Sequence, residues 1–301
     1  MNNIKSIFSI KDLENLSGIK AHTIRIWEKR YNVLSPMRTG TNIRYYDLAN
    51  LRKLLNITLL HNHGYKISKI GALSDDELLQ LVRDIVSEKS AGKLAINAFK
   101  IAMMTFDQKQ FFDNFNFLLS GKSFQQTFYE VIIPLLDDIG MLWQTGTITP
   151  AHEHFISYLI RQKLLTNTEA IQSLAPTKTH RNFILFLPEG ELHELGLLFI
   201  NYEVLLHGFR AIYLGEHVPV SSMTDIRNHF ENNIFICYLT VSPHADDFEG
   251  FVNSMMSEIL QPNDELWIIG KNAAPAFSKN IPPQVKAFRS IPELVSKLEN
   301  V

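Results

Sequence analysis

The chain has 301 residues, of which 46% are hydrophobic and 20% are charged, and its formal net charge at pH 7 is −2. This length allows two or three globular domains, and no apolar run approaches the ~20 residues that cross a bilayer. The N-terminus lacks a signal-peptide pattern, so we expect a cytoplasmic protein without a membrane partner. The single cysteine, Cys237, excludes an intrachain disulfide and a thiolate zinc cluster, and its apolar neighbours predict a buried side chain.

The two ends of the chain carry opposite charge. Residues 1–74 contain twelve Lys and Arg against four Asp and Glu, a balance of +8, and residues 75–301 contain 17 against 27, a balance of −10. A basic segment attracts phosphate groups, and an acidic remainder is repelled by them. The charge pattern therefore favours contact with nucleic acid through the N-terminal segment only.

The first predicted elements are two short helices. Ser9 can cap the first, Ser17-Gly18 supplies a turn, and the second begins near Ala21. Helical spacing places Ile24 and Trp27 on the core side of the second helix and leaves its hydrogen-bonding, cationic side exposed. The major groove of DNA accepts such a helix, because Arg can bind guanine edges or phosphates and Thr can bind a phosphate or a thymine methyl.

Residues 36–46 predict a hairpin with Gly40 at its tip and basic and aromatic residues on its arms. Such a wing would contact the DNA backbone beside the helix. The alternative is a small helical domain whose basic residues only solvate one face. The predicted DNA contacts of helix and wing are Thr23, Arg25, Lys29, Arg30, Tyr31, Arg38, Arg44 and Tyr45.

The order of these motifs resembles the MerR family of transcription regulators. The resemblance covers residues 8–74 and is carried by Thr23-Ile24-Arg25-Ile26-Trp27-Glu28-Lys29-Arg30-Tyr31, then Pro36-x-Arg38-Thr39, Arg44-x-Tyr46, an apolar helix over residues 48–60, and Gly64-Tyr65-Lys66-Ile67. It implies a winged helix-turn-helix that binds a two-fold operator in double-stranded DNA as a dimer.

Beyond residue 74 the hydrophobic periodicity changes twice. Residues 75–173 show long helical patterns and predict a bundle of four or five helices, and the polar tract 172–181 predicts a linker. After it, short apolar runs alternate with helical segments, which predicts a doubly wound parallel sheet of the Rossmann-like, flavodoxin-like kind. The predicted strands are residues 183–187, 211–214, 234–239, 266–269 and 286–288.

We therefore expect a multidomain protein of the α and α/β classes. Its domains are a winged helix-turn-helix over residues 1–74, a helical bundle over residues 75–173 and the parallel sheet over residues 182–301. A ligand of such a sheet lies beyond the carboxyl ends of the strands. The loop after the first strand contains Glu191-x-His193-x-x-Gly196, which resembles the signature of cobalamin-binding domains.

That resemblance implies that His193 displaces the cofactor's own base and becomes the lower ligand of cobalt. A neutral imidazole suits a transition metal, and Glu191, two positions earlier, is placed to orient the ring and raise its basicity. Gly196 would let the following helix pack near the nucleotide tail. Without the other motifs, His193 could equally cap the helix or lie on a solvated loop.

Two further motifs fit the same resemblance. A turn over residues 214–219, which includes Val218, follows the second strand. Trp143, separated by nine residues from Glu153-His154, resembles the helical cap over the upper face of cobalamin in light-responsive MerR regulators. A tryptophan offers a flat apolar surface to an adenosyl group, and Glu153 can accept hydrogen bonds from a ribose. Taken alone, the same residues could be a core tryptophan and an exposed pair.

Three positions depart from these patterns. Gln144 stands where the light-responsive branch has a histidine that can bind cobalt after the carbon–cobalt bond breaks. Tyr238-Leu239-Thr240 occupies the second cobalamin motif, Ser-x-Leu, without its serine, and Gly270-Lys271 occupies a Gly-Gly motif. Lys271 adds bulk near the nucleotide tail, although its ammonium could meet the tail's phosphate. We expect an altered pocket that still includes Tyr238, Thr240 and Gly270.

The leading interpretation is a non-enzymatic, DNA-binding regulator, repressor or activator, whose C-terminal half senses a cobalamin. Adenosylcobalamin is the expected form, with light as a further input. The cap residues and His193 fall in different predicted domains, so a cofactor that touched both would hold them together and favour a homo-oligomer, dimer or tetramer, with higher operator affinity. One alternative is a regulator of the same architecture whose pocket has drifted to another ligand or a protein partner. A more distant one is a corrinoid-dependent methyl carrier, which has no use for a basic winged helix.

Overall fold

Two units of different architecture make up the chain, Met1–Leu159 and Ile160–Val301. The structure is a computed structural model that describes residues 7–84, 88–244, 247–277 and 281–301. Over these residues the first unit is helical except for one small hairpin, and the second is built on a five-stranded parallel sheet. None of the helices in the described ranges has the length and apolar character that a membrane span requires.

The first two helices begin where the sequence predicts. α1 (Ile10–Ser17) is capped by the hydroxyl of Ser9, which accepts a backbone N–H of the first turn. α2 (Ala21–Tyr31) buries Ile24 and Trp27 against the core of the first unit. The predicted helix-turn-helix is therefore confirmed, together with the side of α2 that faces inward.

The predicted wing is also present. β1 (Met37–Arg38) and β2 (Arg44–Tyr45) pair antiparallel, and Gly40 lies in the turn between them. α3 (Leu48–Asn62) and α4 (Ile67–Ile70) follow the hairpin. α3 contributes six buried apolar side chains to the core of the first unit, Leu51, Leu54, Leu55, Ile57, Leu59 and Leu60.

A helical region follows the winged helix. Its elements are α5 (Asp75–Asp84), α6 (Glu88–Thr105), α7 (Gln108–Leu119), α8 (Phe124–Thr127), α9 (Ile133–Gln144) and α10 (Pro150–Gln172). A π-helical turn, Phe128–Ile132, joins α8 and α9 into one run. The described residues between 75 and 172 therefore form five helical runs, where the sequence predicts four or five. Phenylalanine rings fill the centre: the centroids of Phe99 and Phe111 are 5.0 Å apart, and those of Phe111 and Phe115 are 5.9 Å apart.

Buried polar contacts join α1 to this helical region. Nδ2 of Asn15 donates to Oγ1 of Thr147 at 2.8 Å, in the loop after α9. The ammonium of Lys100 on α6 lies 2.6 Å from Oδ2 of Asp138 on α9 and 3.5 Å from the backbone oxygen of Leu16. Lys100 is only 8% exposed. Polar contacts of this kind are strengthened by the exclusion of water, so they hold α1 against α9.

The second unit alternates strands with helices. Its elements are β3 (Lys178–Pro188), α11 (Leu195–Leu206), β4 (Phe209–Val218), α12 (Thr224–His229), β5 (Asn233–Tyr238), α13 (Phe248–Ser254), β6 (Glu265–Ile269), β7 (Val285–Phe288) and α14 (Ile291–Leu298), with helical turns at Val220–Met223, Met255–Ile259 and Lys271–Phe277. Neighbouring strands are parallel, in the order β4-β3-β5-β6-β7. This order confirms the doubly wound, flavodoxin-like sheet, whose switch point lies between the carboxyl ends of β3 and β5.

The central strands are buried on both faces. Ile184 and Phe186 pack with Cys237 in the cluster that also receives α13, while Phe183 packs on the other side of the sheet. The alternation follows from the two-residue period of a strand. Cys237 is fully buried, as predicted, and burial raises the pKa of its thiol.

Two boundaries in this unit differ from the sequence prediction. The predicted linker over residues 172–181 is shorter, because β3 begins at Lys178, where it pairs with the first residue of β4. The predicted turn over residues 214–219 lies in β4, which continues until Val218 pairs with the last residue of β3. In both cases pairing with a distant strand extends the element, and local composition does not report such pairing.

Candidate functional site

The predicted DNA-binding side chains of α2 lie on its solvent-facing side. Arg25, Lys29 and Arg30 are exposed, and Thr23 and Tyr31 are half-buried. The Arg30 guanidinium lies 5.6 Å from the centre of the Tyr31 ring, a cation–π contact that holds it near the end of the helix. Because the opposite side of α2 is buried, the helix presents one cationic side to solvent.

Glu28 connects the hairpin to α2. Its Oε1 accepts Nε of Arg44 at 2.9 Å, and its Oε2 accepts the hydroxyl of Tyr46 at 2.9 Å. The hydrogen bond and charge of Glu28 raise the pKa of Arg44. Sequence reasoning treated Arg44 as a DNA contact and missed this anchor. The carboxylate of Glu28 on α2 is thereby paired with a cation of the same protein, so its repulsion of phosphate groups is reduced.

The remaining predicted contacts lie on the hairpin itself. Arg38 is exposed, and its Nη1 donates to Oδ1 of Asn42 at 2.7 Å across the tip. Tyr45, on the opposite strand, is half-buried. The hairpin thus carries two arginines: Arg38 on β1 is exposed, and Arg44 on β2 is bonded to Glu28 of α2.

Trp143, Glu153 and His154 lie in the helical region. Trp143, near the end of α9, is 48% exposed, so it is not part of the core. Glu153 lies in the first turn of α10, where its Oε1 accepts the hydroxyl of Ser157 at 2.7 Å and its Oε2 lies 3.4 Å from Nε2 of His154. Gln144 is exposed at the end of α9. Each of these side chains is accessible to a ligand.

A single buried carboxylate organises the carboxyl edge of the sheet. Glu191 is fully buried in the loop after β3. Its Oε1 accepts the backbone N–H groups of Leu192 and His193, both at 3.0 Å. Its Oε2 accepts those of residues 240–242 at 2.7, 2.5 and 3.1 Å. Glu191 therefore ties the loop after β3 to the loop after β5, which are the two loops of the switch point.

The same carboxylate orients His193. Nδ1 of His193 lies 2.6 Å from Oε1 of Glu191, and the His193 side chain is 61% exposed. With Nδ1 directed at the carboxylate, Nε2 is the nitrogen through which the ring can bind a metal ion. Burial acts to raise the pKa of Glu191, but the hydrogen bonds from His193 and from backbone N–H groups outweigh it and lower that pKa to about 2. Glu191 is therefore an anion at neutral pH.

Two glycines at this edge have no room for a side chain. A Cβ on Gly196, at the start of α11, would lie 2.5 Å from Cε2 of Tyr238, whose ring covers the glycine. A Cβ on Gly270, which follows β6, would lie 2.3 Å from the backbone oxygen of Leu239, and the φ of Gly270 is 111°. Lys271 follows it and is exposed. Close packing of the loops at both positions therefore excludes larger residues.

A pocket of about 400 Å³ opens at the same edge of the sheet. Apolar side chains at the ends of β3 and β4 and on α13 line it, together with two carboxylates, Glu189 and Asp247. Val218, a predicted cofactor residue, is half-buried in its wall. Beside it, Nδ1 of His217 accepts the N–H of Gly190 at 3.1 Å, so the loops after β3 and β4 are also connected.

Sequence reasoning missed a second acidic group beside His193. Glu194 accepts Nε of Arg161 at 2.5 Å and the hydroxyl of Tyr213 at 3.2 Å. Burial raises the pKa of Glu194, although Arg161 and Tyr213 act in the opposite direction. Its position next to His193 was the only signal in the sequence, because its partners come from α10 and β4.

The carboxyl edge collects most of the predicted cofactor residues of the second unit. Its hydrogen bonds and close contacts connect Glu191, His193, Gly196, Tyr238, Thr240 and Gly270 through the loops after β3, β5 and β6. Trp143, Glu153 and His154 belong to the first unit.

Comparison with known proteins gives these features a family context. Residues 8–77 match the family model described as MerR HTH family regulatory protein, and residues 95–165 match the model described as B12 binding domain. The chain therefore contains a MerR-type helix-turn-helix segment and, after it, a segment that matches a B12-binding domain. The chain is 28% identical over 275 residues to HTH-type transcriptional repressor CarH of Myxococcus xanthus. The aligned residues make up 88% of this chain and 89% of that protein. HTH-type transcriptional repressor CarA of the same organism is 24% identical over 242 residues, 71% of this chain and 70% of that one.

A solved structure is similar to the regulator in fold. The monomethylamine corrinoid protein of Methanosarcina barkeri matches with a TM-score of 0.58 at 12% identity, over 70% of this chain and 100% of that chain. At this identity the likeness concerns the fold alone, and it supports the assignment of the mixed helical and α/β architecture.

Proposed function

We propose that the regulator binds operator DNA through α2 and the hairpin and senses a cobalamin through its C-terminal half. The observation that carries this proposal is the Glu191–His193 pair at the switch point of a parallel sheet, in a chain whose α2 presents a cationic side. The relatives named as transcriptional repressors support the regulatory role, and the B12 binding domain match supports the ligand. The proposal assigns the chain no catalytic residue.

The DNA-binding step follows from the shape and charge of the N-terminal helices. The exposed side of α2 enters the major groove, where Arg25 and Lys29 bind base edges or phosphates, and the hairpin lies along the neighbouring backbone. The ion pair of Glu28 and Arg44 holds the hairpin in a fixed orientation beside α2. Such a regulator works in the compartment that holds the DNA.

Substitution of Arg25 tests this half of the proposal. Arg25→Ala should lower affinity for operator DNA by ~1–3 kcal/mol if Arg25 binds a base edge. The probe is a duplex that the wild-type regulator selects from a random pool, and the assay is a gel-shift titration at fixed salt. Lys11→Ala, which removes an exposed cation from α1, is the matched control and should leave the affinity nearly unchanged. Equal binding by the Arg25 variant and the wild type contradicts the assignment.

The cobalamin-binding step depends on the edge of the sheet. His193 would hold the cobalt of the cofactor, and Glu191 would keep the imidazole ring oriented and electron-rich. A corrin ring supplies four nitrogen ligands, so one protein side chain is sufficient. When bound, an alkylcobalamin supplies a carbon–cobalt bond that light can break.

Cobalamin retention tests the second half. Wild-type regulator mixed with adenosylcobalamin in the dark should keep the corrin absorbance after a desalting column, and His193→Ala should lose it while its far-UV circular dichroism stays the same. His229→Ala, on exposed α12, is the control and should retain the corrinoid. A wild-type protein that retains neither adenosylcobalamin nor cobinamide, a corrinoid without the nucleotide base, refutes the sensor assignment.

We extend the proposal to the form of the cofactor and its effect. Adenosylcobalamin fits the exposed Trp143, which can stack on an adenine, and Glu153, which can accept a ribose hydroxyl. Binding would raise the oligomeric state and tighten operator binding, because linked DNA-binding modules engage neighbouring half-sites with higher avidity. Size-exclusion chromatography with light scattering, with and without the cofactor, in the dark and after illumination, measures this. With Gln144 at its position, a light product that needs a second histidine there cannot form, and an identical mass in every condition with cofactor bound contradicts the assembly step.

A further inference from the structure

The ring of Tyr238 occupies the space over Gly196. Tyr238 is the last residue of β5, and Gly196 lies in the first turn of α11. A Cβ on Gly196 would lie 2.5, 2.8 and 3.0 Å from three carbon atoms of the tyrosine ring. Unbonded carbon atoms need about 3.5 Å between them. The space that a glycine leaves at the start of this helix is therefore already filled by an aromatic side chain.

We propose that Tyr238 is a specificity-determining residue that excludes the nucleotide base of cobalamin from the space over Gly196. The regulator then prefers corrinoids whose lower face carries no bulky base. This inference rests on the proposed function, because it assumes that His193 binds cobalt. It differs from that function in naming the part of the corrinoid that the protein discriminates against.

The chemistry of the corrinoid makes the space beside His193 important. In free cobalamin a benzimidazole base, tethered to the ring by a nucleotide chain, occupies the lower position of cobalt. If the imidazole of His193 takes that position, the base must leave the metal, and its tether keeps it on the same face. A ligand of a doubly wound sheet occupies the crevice at the switch point, and in this chain the end of β5 and the start of α11 border that crevice, so the displaced base would meet them.

The backbone around Tyr238 is held in place, so only the side chain can give way. The N–H of Leu239 donates to the oxygen of Ile269 at 2.7 Å, and the N–H of Asn272 donates to the oxygen of Leu239 at 2.9 Å. Gly270 packs directly on the same peptide. Admission of a bicyclic base over Gly196 therefore requires the tyrosine ring to rotate out of a half-buried position, which gives up its packing against the helix.

A comparison of two corrinoids tests the inference. Cobinamide lacks the nucleotide base, and cobalamin carries it; both are used in the aqua form and titrated into the full-length apoprotein by absorbance. Cobinamide has no base to displace from cobalt, so it binds better for that reason alone. The contribution of Tyr238 is therefore the change in the ratio of the two Kd values between variants, and not the ratio in the wild type.

Ring removal should change that ratio selectively. Tyr238→Ser should tighten cobalamin binding about tenfold or more and leave cobinamide binding within about threefold. Tyr238→Thr, which keeps a residue suited to a strand, should do the same and serves as the second ring-free variant. Tyr238→Phe keeps the ring and is the matched control, with the wild-type ratio expected. Circular dichroism checks that each variant is folded.

The results bear on two claims, the role of Tyr238 and the proposed function. If the ratio of the cobalamin and cobinamide Kd values stays within about threefold of the wild-type ratio in both ring-free variants, the role of Tyr238 is overturned. Binding of cobinamide in that case still supports the proposed function. A change in the Tyr238→Phe variant equal to that of Tyr238→Ser assigns the effect to the hydroxyl and overturns steric exclusion. If neither corrinoid binds to the wild type or to any ring-free variant, the proposed function fails and the inference fails with it.

Discussion

Replacement of Glu191 by glutamine should weaken the sheet unit in a pH-dependent way. The wild-type carboxylate accepts five backbone N–H groups and faces Nδ1 of His193. Glutamine keeps the shape but has a single acceptor oxygen, and its NH₂ group points at donors. The variant therefore resembles the wild type with a protonated Glu191, and it carries this defect at every pH.

The lowered pKa sets the magnitude. Folding shifts the pKa of Glu191 from its ordinary value of 4.5 to about 2. At about 1.36 kcal/mol per pKa unit, the ionised form contributes on the order of 3 kcal/mol to the free energy of unfolding. Because the folded pKa is the lower one, the contribution is complete above pH 4.5 and is lost as the pH falls toward 2. The stability difference between wild type and Glu191→Gln should therefore be largest at neutral pH and shrink in acid.

Urea unfolding followed by the fluorescence of Trp267 measures this difference. Trp267 is fully buried in β6, and Trp27→Phe with Trp143→Phe leaves it as the single tryptophan of the chain. Glu189→Gln, an exposed carboxyl two residues earlier in the same loop, is the control and should change stability by less than about 0.5 kcal/mol. A Glu191→Gln difference below about 1 kcal/mol at pH 7, or one that stays constant between pH 7 and pH 3, would refute this reasoning.

Four other substitutions have defined outcomes. Gly270→Ala forces a Cβ to within 2.3 Å of the Leu239 oxygen and should destabilise the sheet unit by about 1–3 kcal/mol in the same urea assay; an unchanged free energy of unfolding would contradict this. Gly140→Ala, on the exposed side of α9 with nothing near the added methyl, should instead stabilise the first unit by about 0.4–1 kcal/mol in thermal unfolding, and a lower Tm would contradict it. Lys100→Ala and Asp138→Ala should each lower the stability of that unit, and a double-mutant cycle should give a coupling of about 1–3 kcal/mol; strictly additive effects would show that the buried pair contributes nothing.

Local sequence predicted the elements because the relevant forces are local. The cap at Ser9, the two buried positions of α2 and the five strands follow from side chains within a few residues of one another. The doubly wound parallel sheet was also predictable, since alternation of strands and helices allows few topologies. These predictions required no knowledge of which distant residues meet.

The details of the candidate site depend on distant contacts that have no local signature. Three of the groups that Glu191 binds are peptide N–H groups of residues 240–242, and a peptide group looks the same in every sequence. The resemblance to the cobalamin motif puts Tyr238 where a serine is usual, but the direction of its ring toward Gly196 depends on the packing of β5 beside α11. Likewise, the partner of Arg44 is an acid on another element.

The contacts of α1 with α9 have a thermodynamic consequence for the whole regulator. Asn15 donates to Thr147, beside the helix that carries Trp143, and the oxygen of Leu16 accepts from Lys100 of α6, which pairs with Asp138 on that helix. These contacts connect α9 to α1, the helix that precedes α2. Linkage is reciprocal, so if a corrinoid changes operator affinity by some factor, operator DNA must change corrinoid affinity by the same factor. Binding of the corrinoid and binding of operator DNA would then change each other's free energy by the same amount.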